Sequence, residues 1–269
     1  MGAEAIGQVV AVGDGVETVR VGDVILSTAI GAGYREYYTT KARRVIPVPV
    51  ASPEVMSLSI AGLTARVALH ETAEMKSGET VLVTAAAGGT GLFAVQIAKL
   101  AGNHVIGTCS SDEKAALLKR LGCDRVVNYK RESLRDVLKA EYPKGVDVVF
   151  ESVGGELFDT AVDHLAFFGR LITLGFITEY KEAEPERVNK PRIYYKLLAK
   201  NASVRGFNLN LHFGRPALAE HLAWLVGKMQ EGTLKAQIDP TPFIGVEGAI
   251  EAVEYLHAGK NSGKVVVSF

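Results

Sequence analysis

The segment from Val81 to Gly91 reads Val-Leu-Val-Thr-Ala-Ala-Ala-Gly-Gly-Thr-Gly, and it indicates the architecture of most of the chain. Its apolar, β-branched start is typical of a buried strand, and its glycines are typical of a tight turn that opens a helix. The stretch Val81–Ala98 is uncharged and long enough to suggest a membrane span, but clustered glycines interrupt a spanning helix. We therefore expect a strand, a turn and a helix here, and no membrane span.

Strands and helices alternate along the chain from this segment onward. The pattern predicts strands at Val81–Thr84, His104–Thr108, Arg125–Asn128, Val146–Phe150, Arg170–Leu174 and Ser203–Leu209. It predicts helices at Thr90–Ala101, Glu113–Leu121, Ser133–Lys139, Leu157–His164, Asn189–Lys200 and Pro216–Gln230. Such alternation favours βαβ units with right-handed crossovers, and the expected fold class is therefore α/β with a doubly wound parallel sheet.

The two ends of the chain carry a different pattern. The N-terminal region predicts strands at Ile6–Val12, Val19–Leu26 and Tyr34–Thr40, followed by helical spacing over Pro53–Glu74. The tail predicts a helix at Gly248–His257 and a strand at Lys264–Phe269. Prolines at 47, 49 and 53 mark a boundary. We expect one domain from residues 1–51 with 238–269, and a second from residues 52–237.

The composition excludes several classes of protein. Equal numbers of cationic and anionic residues, 30 of each, remove the electrostatic reason to expect a nucleic-acid partner. Two cysteines and six scattered histidines provide no metal-ligand spacing, so no metal site is expected, and a reducing compartment is favoured. The N-terminus has no signal-peptide pattern and the C-terminus is not Ser-Lys-Leu, so the expected location is cytoplasmic.

The glycine turn has the spacing of a phosphate-binding loop, Ala86-x-Gly88-x-x-Gly91. A tight turn needs a small first residue, approach of the backbone to a pyrophosphate needs no side chain, and helix–sheet packing needs a third small residue. Phosphates would then meet free N–H groups at the positive end of a helix. The predicted phosphate-binding residues are Ala87, Gly88, Gly89, Thr90 and Gly91. A glycine-rich turn without a ligand is the alternative interpretation.

The end of the second strand of this unit indicates which dinucleotide binds. An NAD site usually has a carboxylate there for the ribose 2′-hydroxyl. This chain has Ser110 and Ser111, with Lys114 one helical turn further on, and hydroxyls with an ammonium suit a 2′-phosphate. Asp112 is the competing residue, but its position predicts an N-cap of the next helix. The sequence therefore favours NADPH.

Several segments together resemble a known family. Thr84–Gly91, Gly107–Lys114 and Asn128–Lys130 are similar to the zinc-independent medium-chain dehydrogenases/reductases, in particular the group of quinone oxidoreductases and prostaglandin reductases. Glu151–Gly155, Gly175–Tyr180 and Gly259–Lys264 continue this likeness, which covers nearly the whole chain. The resemblance implies a Rossmann domain joined to a GroES-like β domain. Family members begin with a longer GroES-like domain, so we expect an N-terminally truncated one here.

The resemblance also implies roles for individual residues. Ser111, Lys114 and Tyr129 would hold the 2′-phosphate, and Thr64 would lie near the carboxamide of the nicotinamide. The remaining cofactor-binding residues would be Ser152, Phe176, Ile177, Phe207, Leu209 and Asn261, although Phe207 and Ile177 could equally be core residues. Tyr180 would reach the substrate carbonyl as the catalytic hydroxyl donor.

The activity implied by the family is an NADPH-dependent reduction of α,β-unsaturated ketones, with 15-oxo-prostaglandin-like lipids as substrates. Two alternatives stay open at this point. One is a quinone oxidoreductase, since related proteins in the superfamily have that activity. The other is a non-catalytic NADPH-binding protein, since the GroES-like domain is expected to be incomplete. A homodimer is expected, because Ser203–Leu209 could be an edge strand and many relatives are oligomers.

Overall fold

The computed structural model describes residues 2, 4–29, 31–179 and 192–269. Its strands are β1 Ala5–Gln8, β2 Val24–Ser27, β3 Val45–Pro47, β4 Thr80–Val83, β5 His104–Cys109, β6 Arg125–Asn128, β7 Val146–Glu151, β8 Leu165–Thr173, β9 Ser203–Gly206, β10 Phe243–Ile244 and β11 Val267–Ser268. Its α-helices are α1 Pro53–Ser57, α2 Leu63–Val67, α3 Gly89–Leu100, α4 Asp112–Arg120, α5 Leu134–Glu141, α6 Gly155–Asp163, α7 Ile193–Leu198, α8 Pro216–Gln230 and α9 Gly245–His257. Two π-helical turns, Leu58–Gly62 and Ala68–Thr72, flank α2.

Contacts divide the chain into two compact units, Met1–Leu63 with Ala219–Phe269, and Thr64–Leu218. The domain boundaries expected from the sequence lie at residues 51/52 and 237/238, and that assignment stays a prediction. None of the helices in the described ranges combines the length and the apolarity that crossing a bilayer requires.

The unit Thr64–Leu218 contains the parallel sheet that the alternating pattern predicts. Its six strands run in the order β6-β5-β4-β7-β8-β9, and every neighbouring pair is parallel. Strand order therefore reverses direction between β4 and β7, which is the arrangement of a doubly wound sheet. The expected α/β fold class is confirmed.

Helices cover both faces of this sheet. Ile106 packs in one apolar cluster with Leu138 of α5 and Ala161 of α6. The next residue, Gly107, points to the opposite face, where its missing Cβ would lie 3.5 Å from Leu118 of α4. A parallel sheet buried on both faces presents its strand ends as the accessible edge, and the carboxyl ends of all six strands lie together there.

The other unit holds two small sheets. β1 and β3 each pair antiparallel with β2, and β10 pairs in parallel with β11. Within this unit the Glu4 carboxylate accepts a hydrogen bond from the Ser59 hydroxyl at 2.8 Å and forms an ion pair with Lys264.

The predicted strand at Tyr34–Thr40 is wrong, and the third strand is Val45–Pro47 instead. Tyr34 has a φ of 61°, in the left-handed region, and this conformation is incompatible with an extended strand. Pro47 is tolerated because β3 is an edge strand of its sheet and the proline is its last residue.

Several predicted elements have other bounds in the structure: β1 ends at Gln8 rather than Val12, and β2 begins at Val24 rather than Val19. β9 stops at Gly206 rather than Leu209, because the Asn208 side chain accepts a hydrogen bond from the Asn210 N–H at 3.0 Å and begins a 3₁₀ turn. The predicted helix Asn189–Lys200 is α7, Ile193–Leu198, and the first three predicted residues lie outside the described ranges. β9 is the last strand of the sheet, and the predicted homodimer stays a prediction.

Candidate functional site

The glycine turn connects β4 to α3 and is attached to the end of β5. Ala85 has a φ of 45°, and its N–H donates to the Thr108 hydroxyl at 3.1 Å. The Ala86 N–H donates to the Thr108 carbonyl at 3.0 Å. The Gly88 N–H then turns back to the Ala85 carbonyl at 2.9 Å. The chain is therefore folded tightly before the helix begins.

The first turn of α3 has the properties of an anion site. Gly88 is the N-cap, and no side chain among the described residues caps the helix there. The N–H groups of Gly89, Thr90 and Gly91 occupy the helix positions that lack intrahelical acceptors, so they can bind an anion together with the positive end of the helix. Ala87, also predicted to bind phosphate, is buried.

Gly91 explains why this turn needs glycine. A Cβ on Gly91 would lie 2.5 Å from the Ala85 carbonyl oxygen and 2.8 Å from the Ala86 Cα, distances that real side chains do not show. The helix therefore approaches the strand–turn junction more closely than any other residue allows. This cradle fits the pyrophosphate of a dinucleotide.

The end of β5 brings together the residues predicted to bind a 2′-phosphate. Ser110 and Ser111 follow the strand, and Lys114 lies on the first turn of α4. Tyr129 follows the neighbouring strand β6, is half exposed, and donates its N–H to the Cys109 carbonyl at 3.1 Å. All four side chains therefore belong to two adjacent strand ends.

The predicted N-cap at Asp112 is wrong. Ser111 caps α4, because its hydroxyl accepts a hydrogen bond from the Lys114 N–H at 3.3 Å. Asp112 is the first helical residue, accepts a hydrogen bond from the Asn128 amide at 3.1 Å and pairs with Arg131. The guanidinium thus offsets the carboxylate that would otherwise repel a phosphate at this strand end.

The other half of the sheet places the remaining predicted residues beyond β7, β8 and β9. The Ser152 N–H donates to the Thr84 hydroxyl at 3.0 Å, and the Ser152 carbonyl accepts from the Ile177 N–H at 3.4 Å. Phe176 and Ile177 are exposed. The Phe207 N–H donates to the Thr173 carbonyl at 2.9 Å, and Leu209 is buried. These residues share the carboxyl edge with the glycine turn.

Three further residues complete the predicted set. Thr64 is half-buried on α2, and Asn261 belongs to the other unit, where its buried amide donates to the Gly263 carbonyl at 2.9 Å. Tyr180 lies outside the described residues. The cofactor and catalytic roles of all these side chains stay predictions.

Glu151 is a residue of this edge to which sequence reasoning assigned no role. Its side chain is fully buried at the end of β7, and burial raises the pKa of its carboxyl. The available signal was a single acidic residue that closes the apolar run of Val148, Val149 and Phe150. A carboxyl in that position is unusual, because buried acids are rare without a partner.

The loop beyond β9 is held by a second set of residues to which sequence reasoning assigned no role. Arg215 donates from one nitrogen to Glu71 Oε2 at 3.0 Å and to His212 Nδ1 at 2.8 Å. A guanidinium only donates, so His212 Nδ1 is the acceptor in this contact. The His212 ring also stacks on Phe207, with centroids 5.2 Å apart. Glu71 and Arg215 are 144 residues apart in sequence, so no local pattern could reveal the contact.

The chain is similar to several known proteins. Residues 89–226 match the family model for zinc-binding dehydrogenases. The chain is 48% identical to mouse prostaglandin reductase-3, with 99% of this chain and 72% of that protein covered. It is 44% identical to a probable quinone oxidoreductase of Leishmania amazonensis, covering 99% of this chain and 78% of that protein. The structure resembles that of Escherichia coli quinone oxidoreductase complexed with NADPH, with a TM-score of 0.86 and 28% sequence identity. The match covers 99% of this chain and 81% of that chain.

The name of the matching family raises the question of zinc. In the part of the chain that the structure describes, no group of three or more His, Cys, Asp or Glu side chains could hold a metal ion. Cys109 and Cys123 are both buried, and burial raises the pKa of Cys123 to about 12, which disfavours the thiolate that zinc requires. The described residues therefore do not fit a zinc ion.

Replacing Gly91 with alanine tests the cradle. The new Cβ must displace the Ala85–Ala86 backbone, so we expect the free energy of unfolding to fall by about 1–3 kcal/mol. We also expect NADPH affinity to fall by more than about tenfold, since 1.4 kcal/mol of binding energy corresponds to a factor of ten. Urea unfolding and fluorescence titration with NADPH measure the two effects.

The matched control is Gly227→Ala. A Cβ at that helical position meets no atom within 4 Å. It should leave NADPH affinity unchanged and leave stability equal or slightly higher. Equal NADPH affinity in Gly91→Ala and the wild type would contradict the assignment of the turn.

Proposed function

This chain belongs to the zinc-binding dehydrogenase family, within the medium-chain dehydrogenase/reductase superfamily, and we propose that it reduces the carbon–carbon double bond of α,β-unsaturated ketones of the 15-oxo-prostaglandin type. It is an NADPH-dependent oxidoreductase, and the prediction of NADPH as its cofactor is confirmed. The likeness to prostaglandin reductase-3 over 99% of the chain is the observation that supports this choice of substrate.

The chain's own residues provide the binding part of this activity. The N–H groups of Gly89, Thr90 and Gly91 bind the pyrophosphate, and the residues after β5 bind the 2′-phosphate. The loops after β7, β8 and β9 then hold the nicotinamide half, because a doubly wound sheet binds a dinucleotide across the reversal of its strand order. When bound, NADPH supplies a hydride to the β-carbon of the enone.

Tyr180 is the residue that we propose for polarising the substrate carbonyl. Addition of a hydride to the β-carbon would place negative charge on the carbonyl oxygen, and a proton from water would then complete the α-carbon. A hydroxyl donor stabilises the negative oxygen during this change. The chain reaches Tyr180 directly after the 3₁₀ turn Ile177–Glu179 at the carboxyl edge.

The direct test follows NADPH fluorescence on titration and then its oxidation with a simple enone. We expect binding and then oxidation. Binding with no oxidation of any acceptor would favour the non-catalytic alternative, and no binding would contradict both. A quinone is the second acceptor to compare, because the chain is also 44% identical to a probable quinone oxidoreductase. A higher kcat/KM with the quinone would overturn the enone proposal.

Lys114→Ala tests the choice of nucleotide. Loss of a charge-assisted hydrogen bond of about 1.5–3 kcal/mol should raise KM for NADPH by roughly ten- to a hundredfold while KM for NADH stays unchanged. Lys114 is a cleaner target than Ser111, whose hydroxyl also caps α4. Lys119→Ala, on the last turn of the same helix, removes the same charge and should have little effect. Equal increases with both nucleotides would contradict a role in 2′-phosphate binding.

Tyr180→Phe tests the hydroxyl donor. Loss of one donor to a developing oxyanion is expected to lower kcat by about 10²–10³-fold, with NADPH affinity little changed. Steady-state kinetics with the enone and a fluorescence titration with NADPH separate the two effects. Unchanged turnover would remove Tyr180 from the mechanism.

A further inference from the structure

Glu151 is a carboxyl buried in a place where a charge is costly. None of its surface is exposed, and no Lys or Arg side chain is among its partners in the described residues. It ends β7 next to β4, which is the point where the strand order of the sheet reverses. Ligands of doubly wound sheets bind at this point, so Glu151 lies beneath the site proposed for the dinucleotide.

One oxygen of Glu151 joins the two halves of the sheet. Oε1 accepts hydrogen bonds from the N–H groups of Val153 at 2.8 Å and Gly154 at 3.0 Å, and from the Thr84 hydroxyl at 3.3 Å. Thr84 follows β4 directly and precedes the glycine turn. The Thr84 hydroxyl also accepts a hydrogen bond from the Ser152 N–H at 3.0 Å. The turn Ser152–Gly154 is thereby fixed against the start of the phosphate-binding loop.

The other oxygen of Glu151 has no partner. Oε2 is buried and makes no hydrogen bond within the described residues. An unpartnered carboxylate oxygen in a buried position is expensive, whereas a protonated carboxyl carries no net charge there. The geometry therefore favours the neutral form of Glu151 in the folded protein.

We propose that Glu151 is a positioning residue for the nucleotide: it fixes the Ser152–Gly154 turn against Thr84, and a negative charge on it weakens NADPH binding. This inference rests on the proposed function, since it needs the nucleotide to bind at this edge. Glu151 acts through the backbone that it holds.

The direction of the pH effect follows from the surroundings of the carboxyl. Burial raises the pKa of Glu151, while the hydrogen bonds from Val153, Gly154 and Thr84 lower it by smaller amounts. Because the folded-state pKa is raised, the neutral form is stabilising at low pH, and that contribution is lost as the pH rises through the folded-state pKa. Over the same range a buried negative charge develops beneath the edge proposed for the phosphorylated dinucleotide, so NADPH affinity should fall as pH rises.

The groups that face Glu151 are few. β4 presents the Thr84 hydroxyl, and the turn after β7 presents N–H groups only. The 3₁₀ turn after β8 brings one further carboxyl to the same turn, since Oε1 of Glu179 lies 3.4 Å from the position of a Cβ on Gly154. The Glu156 side chain, on the first turn of α6, is exposed.

The test measures the Kd of NADPH by fluorescence titration between about pH 6 and pH 9, for the wild-type chain and for Glu151→Gln. Glutamine keeps an oxygen for the three donors and cannot ionise, so it imitates the protonated acid. We expect the two proteins to bind equally at the acid end. The wild type should bind about three- to tenfold more weakly at the alkaline end, the range of one unfavourable charge interaction in a protein. Titration of the 2′-phosphate affects both proteins and cancels in the ratio.

A second variant tests positioning. Glu151→Asp is one methylene shorter and cannot keep all three hydrogen bonds, so KM for NADPH should rise by about three- to tenfold at near-constant kcat. Glu156→Gln removes a nearby exposed carboxylate and serves as the control, with a pH profile like that of the wild type. Parallel wild-type and Glu151→Gln profiles would overturn the proposal even if NADPH binds. A wild-type chain that does not bind NADPH would instead reject the proposed function.

Discussion

β4 pairs in parallel with β5 on one side and with β7 on the other. Because parallel strands expose their carboxyl ends at one edge, this double pairing brings the glycine turn, the serines after β5 and the Ser152–Gly154 turn to the same place. The hydroxyl groups of two threonines then fix the arrangement. Thr108 bonds the glycine turn to β5, and Thr84 bonds it to β7. The proposed nucleotide site therefore depends on the register of one central strand.

Charge at this edge is controlled locally, although the chain as a whole has a formal net charge of zero. At the end of β5, Arg131 pairs with Asp112, and Lys114 adds a cation one helical turn further on. At the end of β7, burial raises the pKa of the Glu151 carboxyl and so disfavours its charged form. Two carboxyls that could repel a phosphorylated dinucleotide are thus offset in different ways, one by an ion pair and one by desolvation.

The sequence predicts the parallel sheet well because its signals are local. Strands β4 to β7 are each centred on a short apolar, β-branched run, and their predicted bounds agree with the structure to within one residue at each end. The prediction of the third strand failed because the backbone of Tyr34 is not extended. The prediction of the helix cap failed because Ser111, and not Asp112, caps α4. The contacts of Glu151 with Thr84, and of Glu71 with Arg215, join residues 67 and 144 positions apart. A single sequence shows such residues but not that they meet.

The turn held by Glu151 also continues toward the catalytic part of the proposed site. The Val153 carbonyl accepts hydrogen bonds from the Thr178 hydroxyl at 2.7 Å and the Thr178 N–H at 3.2 Å. Thr178 lies in the 3₁₀ turn that immediately precedes Tyr180 along the chain. One chain of contacts therefore runs from Thr84 through Glu151 and Val153 to Thr178. Since the nucleotide and the proposed carbonyl donor must be aligned for hydride transfer, we expect this shared anchor to help position both.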